Sequence, residues 1–259
     1  MNTRSLIAWN SYRTMIRKEA VRIFRIWPQT LLPPLITQSL YFVIFGGFIG
    51  SRVGLVGGVP YMAFIVPGLV MMAVIQNSFG NVVSSFFSAK FQRSIEEIMV
   101  SPTPDWVMLG GYVTGGVVRG VVTGALVYAV SAVFARPTVL HPWAVVLFLF
   151  LTSALFSLAG FLNAIFAKKF DDISIFSTFV LVPLTYLGGV FYSVQQLPPL
   201  WQAVSRFNPI LYMVDGFRYG FFGDAGIPVW WSAALLALVT AALAVINLRL
   251  LRKGTGMRA

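Results

Sequence analysis

Charge is scarce in this chain. Only 10% of its 259 residues are Asp, Glu, Lys or Arg, and eight of them are acidic. An ordinary soluble domain carries about a quarter charged residues, so a water-facing globule is excluded. Cysteine is absent and there is one histidine, His141, in a short Leu-His-Pro connection. A disulfide framework and a thiolate metal centre are therefore excluded, and a lone loop histidine is not a ligand set. A phosphate-cradling loop needs Gly-Lys followed by Ser or Thr, but the five lysines precede Glu, Phe, Lys, Phe and Gly. This chain is not expected to bind nucleotide that way. The adjacent pairs Glu96-Glu97 and Asp171-Asp172 point about 100° apart on a helix, which does not make an acid and base facing a substrate.

What the chain has is apolar length. Hydrophobic residues make up 58% of it. Six runs reach the ~20 residues a spanning helix needs: Pro28 to Gly50, Tyr61 to Ser88, Val107 to Ala135, Trp143 to Ala167, Ile173 to Tyr192 and Val229 to Leu248. Barrel strands would be ~10 residues long with alternating polarity. The expected fold class is thus an all-α membrane protein. It is expected to form a single transmembrane unit over 1-259, with an interface helix at 1-27, a six-span bundle at 28-248 and a basic tail at 249-259. No short apolar core followed by small residues marks a cleavable leader, so the first span is expected to be retained.

The net charge of +11 would suggest nucleic acid in a soluble protein, but here it follows the membrane. With both termini in the cytoplasm, fourteen of the 19 basic residues fall in inner segments and four, Arg52, Arg136, Arg206 and Arg218, in outer ones. Positive residues favour the cytoplasmic side. Before the first span, Trp9, Tyr12, Ile16, Ala20, Ile23 and Trp27 recur every three or four residues, with Lys18, Arg22 and Arg25 opposite. That pattern describes an amphipathic helix in the membrane interface. It is either a passive anchor or a lever that also touches a partner.

Lys90 to Pro104, KFQRSIEEIMVSPTP, is a short ionic segment between two apolar walls, stopped by Pro102 and Pro104. By spacing alone it is either a docking piece or a solvated connection. Asn77, Asn81, Ser84 and Ser88 form a polar stripe on the second span, which must face protein or water. Helix-to-helix hydrogen bonding and a lining for a substrate path satisfy them equally. Gly116, Gly120 and Gly124 permit close packing of the third span, and Arg119 is the one full charge inside any span. It is a candidate gate or buried pair, with snorkelling as the plainer reading. The connection from Ser193 to Pro228 is long and rich in aromatics. Two short outer helices, re-entrant or interfacial, suit it. Arg206, Asp215 and Arg218 there either pair with one another or anchor at the interface.

Glu97 to Pro102 (EIMVSP) after a basic stretch, Asn208-Pro209 in RFNPILYMVDGFRYG, and the run PLTYLGG at Pro183 to Gly189 occur in an order that resembles the ABC type-2 transporter permeases, over essentially the whole chain. The resemblance implies a homodimer bound to two copies of a separate ATPase, which would hold the ATP and magnesium; no cofactor is expected in this chain. It implies that Arg93, Glu96, Glu97, Ile98 and Pro102, with Arg17 and Arg25 of the interface helix, form the ATPase-coupling surface. A translocation path or gate would draw on Asn77, Asn81, Ser84, Arg119, Tyr186, Asn208, Asp215 and Arg218. Gln92-Arg93-Ser94 stands where many relatives have Glu and Arg before a Gly, leaving individual contacts open. The implied function is export of an amphipathic, lipid-linked, glycan or drug-like substrate across the bacterial inner membrane. No nucleic acid is expected as a partner; membrane lipid is. A secondary transporter or channel is the rival; it would be expected to carry several intramembrane ionisable residues or repeated halves. An integral membrane enzyme is disfavoured by the missing His, Cys and convergent carboxylates.

Overall fold

A computed structural model describes residues 3–135 and 137–256. Arg136, and Arg258 at the end of the basic tail, lie outside them, as does the side chain of Arg4.

Among the described residues six helices are long and apolar enough to cross a membrane, and they coincide with the six runs of the sequence: α2 (Trp27–Val53), α3 (Tyr61–Phe91), α5 (Asp105–Phe134), α6 (Pro142–Phe166), α7 (Phe170–Leu187) and α10 (Val229–Arg252). They are preceded by α1 (Thr3–Arg25) and joined by three shorter helices: α4 (Ser94–Val100) between α3 and α5, and α8 (Pro199–Arg206) and α9 (Pro209–Phe222) between α7 and α10. Pro28 in the first turn of α2, Pro142 at the start of α6 and Pro209 at the start of α9 sit where the missing amide costs nothing. A two-residue turn, Gly57-Gly58, with both φ angles positive, closes a small hairpin between β1 (Leu55–Val56) and β2 (Val59–Pro60).

The axis of the bundle is α3, whose apolar window is 83% buried, against 17% for α2 and 11% for α7. Glycine explains how α5 gets so close to it. A Cβ on Gly120 would overlap the Ser78 hydroxyl, and one on Gly124 would lie 2.7 Å from Val74. The expected packing face of α5 is therefore real, and its partners are α3 and α6. The outermost spans, α2 and α7, each widen into a π-helical stretch, Phe42–Ile49 and Ser177–Leu181. Their exposed surface includes Phe48 and Phe179, both more than 70% exposed.

Two details go beyond the expectations. The stripe from Trp9 to Trp27 is only partly turned to the bundle: Ile23 is buried and Tyr12, Ile16 and Ala20 are half-buried, whereas Trp9 and Trp27 are exposed. Ala8, Met15 and Glu19, outside the stripe, are buried beside them. The cause is a second glycine face on α5: Cβ atoms on Gly111 and Gly115 would meet Met15 and Glu19 at 2.7 and 2.8 Å. The helix turns its small and slender residues toward these glycines and leaves its tryptophans outward. The segment from 249 on begins in helix, since α10 runs on through Arg249 to Arg252.

Candidate functional site

Three groups of polar residues stand out, two at the α1/α4 end of the bundle and one at the opposite end. The first surrounds α4. Gln92 ends α3, and Arg93, at φ 60, is the described non-glycine residue with left-handed backbone; it reverses the chain into α4. Ile95 is fully buried and Ile98 half-buried, so this single short helix is pinned to the bundle by one apolar edge. Its other edge offers Glu96, Glu97, Met99 and Val100 to solvent, the last 87% exposed, followed by exposed Pro102. Ser101 Oγ lies 2.8 Å from Thr103 Oγ1, which donates to Ser11 Oγ at 3.2 Å and so ties the segment to α1. Between them Asn10, Thr14, Lys18, Glu97 and Ile98 line an open cleft of about 500 Å³. Arg93, Glu96, Glu97, Ile98 and Pro102 thus share one surface. Arg17 and Arg25 lie on the flank of α1 around a different groove.

The second group is buried where α1, α3, α5 and the first turn of α2 meet. Glu19, 1% exposed, receives Ser85 Oγ at 2.6 Å on one oxygen and Arg22 Nη2 at 2.8 Å on the other. Arg22 also donates to Asn81 Oδ1 and O, at 2.9 and 3.2 Å, and approaches Ser84 Oγ at 3.5 Å. Beside it, Arg119 donates to Asn77 Oδ1 at 3.1 Å and to the Thr30 carbonyl at 3.3 Å. Asn81 and Ser84 thus gather around Arg22, and Asn77 around Arg119, as two adjacent sets of hydrogen bonds, mostly between helices. Ser88 is part of neither. Arg119 is not an ion pair; among the described residues the one salt bridge is Glu19 with Arg22. Arg22, which the sequence places on the face opposite the aromatic stripe, turns inward to reach it.

Between these two groups, Lys90 is buried and its ammonium donates to the Ile165 and Ala167 carbonyls at 2.8 Å each, with Ala164 O at 3.5 Å. These are carbonyls that the end of α6 leaves without helical partners. A lysine there also complements the helix dipole.

The third group lies at the far end. Asn208 caps α9, its Oδ1 accepting from the Ile210 amide at 3.0 Å while Nδ2 donates to Leu184 O at 2.6 Å, so it fastens α9 to α7. Tyr186 meets Tyr41 hydroxyl to hydroxyl at 3.3 Å, joining α7 to α2. Asp215 and Arg218 line a cavity of about 130 Å³ with Gln195, Gln202 and Arg206. They do not form a direct salt bridge. Asp215 accepts the Ile227 and Gly226 amides at 2.9 and 3.3 Å, while Arg218 donates to Gly189 O at 2.8 Å and lies 4.1 Å over the Phe64 ring. Burial raises the Asp215 carboxyl above its ordinary value, with Arg218 and the two amides pulling the other way. Burial also lowers Arg218 to about 10.

Sequence reasoning missed Glu19, Arg22, Ser85 and Lys90. A signal for Glu19 was present: it is the only carboxylate before Glu96, set inside a strongly basic helix. Lys90 gave none, since its partners are backbone carbonyls 74 or more residues away.

Known proteins are similar to this chain in sequence. The family model described as ABC-2 type transporter matches residues 10–222. The chain is 54% identical over 251 residues to the inner membrane transport permease YadH of Escherichia coli K12, covering 96% of this chain and 98% of that one. It is 27% identical over 229 residues to nodulation protein J of Rhizobium leguminosarum bv. trifolii, covering 86% of each. A multi-pass bundle in the bacterial inner membrane and a transport role without catalysis of its own follow from these matches. The six apolar spans, the charged helix pinned between the second and third of them and the match along most of its length place this chain in the ABC-2 type transporter family, as the transmembrane subunit of an ABC transporter that works with an ATPase partner.

Proposed function

We propose that this chain is an exporter subunit in which α4 receives motion from the ATPase. The observation that carries the reading is the build of α4. Its buried Ile95 and the Ser101-Thr103-Ser11 chain hold it to α3 and α1, while Glu96, Glu97, Met99 and Val100 are exposed on the outside. A helix gripped on one edge and bare on the other suits a docking element, because a load on the bare edge moves whatever the other edge is attached to. In this reading both termini and α4 are cytoplasmic, as the distribution of basic residues favours. Two copies of the chain assemble with two ATPase subunits, and ATP and magnesium are bound by the latter. The exposed faces of α2 and α7, with the Tyr41–Tyr186 contact between them, support a second copy of this chain as their cover. The cargo is an amphipathic, lipid-linked, glycan or drug-like molecule moved outward, with Asn77, Asn81, Ser84 and Arg119 near the inner part of its path and Tyr186, Asn208, Asp215 and Arg218 at the exit.

The test is Glu96→Lys with Glu97→Lys, measured as ATP hydrolysis, complex assembly and transport in reconstituted vesicles. Insertion should be normal and transport lost relative to hydrolysis. Unchanged assembly and transport would overturn the docking role.

A further inference from the structure

We propose that the outward flank of α1 is a binding site for the phosphate headgroup of an anionic phospholipid. Arg17, Lys18, Arg22 and Arg25 surround Val21 and Ile26 in an open groove of about 620 Å³. No carboxylate lines this groove. Glu19, the one acid on the helix, points the other way, buried and satisfied by Ser85 and Arg22. Arg22 is only partly used by the network behind it: its Nη2 serves Glu19 and Asn81, while its Nη1 makes a single exposed contact at 3.5 Å. The groove thus gathers four cations and no counter-charge. A phosphodiester supplies what such a site needs, since guanidinium groups bind phosphate oxygens with charge-assisted hydrogen bonds.

Which polyanion fits is decided by the apolar residues among the cations. Val21, Phe24 and Ile26 are 54%, 57% and 37% exposed. The exposed Trp27 that follows is a side chain suited to the headgroup level, and Leu32 and Ile36 continue an exposed apolar track along α2. A soluble acidic protein surface or free phosphate would cover the charges and leave Val21, Phe24 and Ile26 without an apolar cover. A lipid covers both, its headgroup in the groove and its chains against these residues and into the membrane beside α2. The site does not depend on the ATPase reading, because it is formed by the isolated chain.

The test uses the purified full-length chain without any ATPase, in detergent supplemented with phosphatidylglycerol, with phosphatidylcholine of the same acyl chains, or with inorganic phosphate. Bound lipid is counted by native mass spectrometry and stability is followed by thermal unfolding. The variant Arg17→Gln/Lys18→Gln/Arg25→Gln leaves Arg22 and its buried partners intact. A control, Arg249→Gln/Arg252→Gln/Lys253→Gln, removes the same charge elsewhere. Wild type and control should retain phosphatidylglycerol in preference to phosphatidylcholine and be stabilised by it. The groove variant should fold equally well without lipid and hold phosphatidylglycerol roughly tenfold or more weakly, the order expected for three basic side chains near an anionic headgroup. Equal retention by the groove variant, equal loss in the control, or stabilisation by inorganic phosphate matching that by phosphatidylglycerol would each overturn the assignment.

Discussion

Replacing Glu19 separates the charge of the buried network from its shape. Gln has the size of Glu and can still accept from Arg22 Nη2 with its amide oxygen while its NH2 donates to Ser85 Oγ, so the hydrogen-bond count is kept and only the ionic component is lost. Charge-assisted bonds contribute about 1.5–3 kcal/mol against ~1 for neutral ones, which sets the cost of Glu19→Gln at ~1–2 kcal/mol. Glu19→Ala removes both bonds and leaves Arg22 and Ser85 facing a void beside Gly115. Breaking a buried pair costs ~3–5 kcal/mol, but the Arg22 side chain keeps 28% of its surface exposed, so water makes up part of the loss and we expect ~2–4 kcal/mol. At about 2–4 °C per kcal/mol for a chain of this size, the melting temperature in lipid nanodiscs should fall by ~2–8 °C for Gln and by ~4–16 °C for Ala. Hydrogen exchange should rise in α1 before it rises in α3. If both variants melt with wild type and α1 is equally protected, the network does not hold α1 to the bundle.

Lys90→Met keeps the buried stem and removes three carbonyl contacts, and unsatisfied buried acceptors cost about 1–3 kcal/mol; exchange should increase at Asn163–Ala167 with little change in α5. Gly115→Ala places a Cβ 2.8 Å from that of Glu19 and should displace α1 from α5, read as lost cross-linking between cysteines introduced at Ser11 and Thr103. Asp215 has a raised folded-state pKa, so protonation favours the folded outer end. Its contribution is fully present below the ordinary carboxylate value of 3.8 and is lost as pH rises through the raised one. Exchange in α9 should therefore quicken as pH climbs through that window once intrinsic rates are corrected, and Asp215→Asn should abolish the trend. Reversed pH dependence would show that the two amides and Arg218 outweigh burial.

Apolar length is a one-dimensional property, and the six spans were legible from it to within a few residues. The polar stripe on α3 was legible for the same reason, since Asn77, Asn81 and Ser84 fall on one helical face and Arg119 is conspicuous in a run without other charge. The rotation of α1 was not legible. Its aromatic stripe is the stronger pattern, but it describes affinity for a membrane interface, whereas the buried face is chosen by the shape of α5 at Gly111 and Gly115. Nor could spacing reveal that Asp215 and Arg218, three residues apart, would each turn to backbone groups instead of to each other. Backbone amides and carbonyls are present at every position, so side chains that serve them leave no mark in residue type.

The position of α5 follows from glycines on two of its faces. Gly111 and Gly115 seat α1 on one side, and Gly116, Gly120 and Gly124 seat α3 and α6 on the other. With backbones this close on both sides, α5 has little room to tilt alone, and a displacement of α1 must either carry α5 with it or open the seam at Glu19, Arg22 and Asn81. That seam is tied by hydrogen bonds, yet Arg22 Nε, Arg119 Nε and Asn81 Nδ2 have no partner among the described residues. A network with spare donors can exchange partners at less cost than one that is fully satisfied, because a shifted helix can offer new acceptors as the old ones leave. Under the proposed coupling, force on α4 passes to α1 through the Ser101-Thr103-Ser11 chain and reaches the spans at this seam. The seam is then the place where α1 slides relative to α3, while the glycine contacts of α5 with α3 and α6 stay closed.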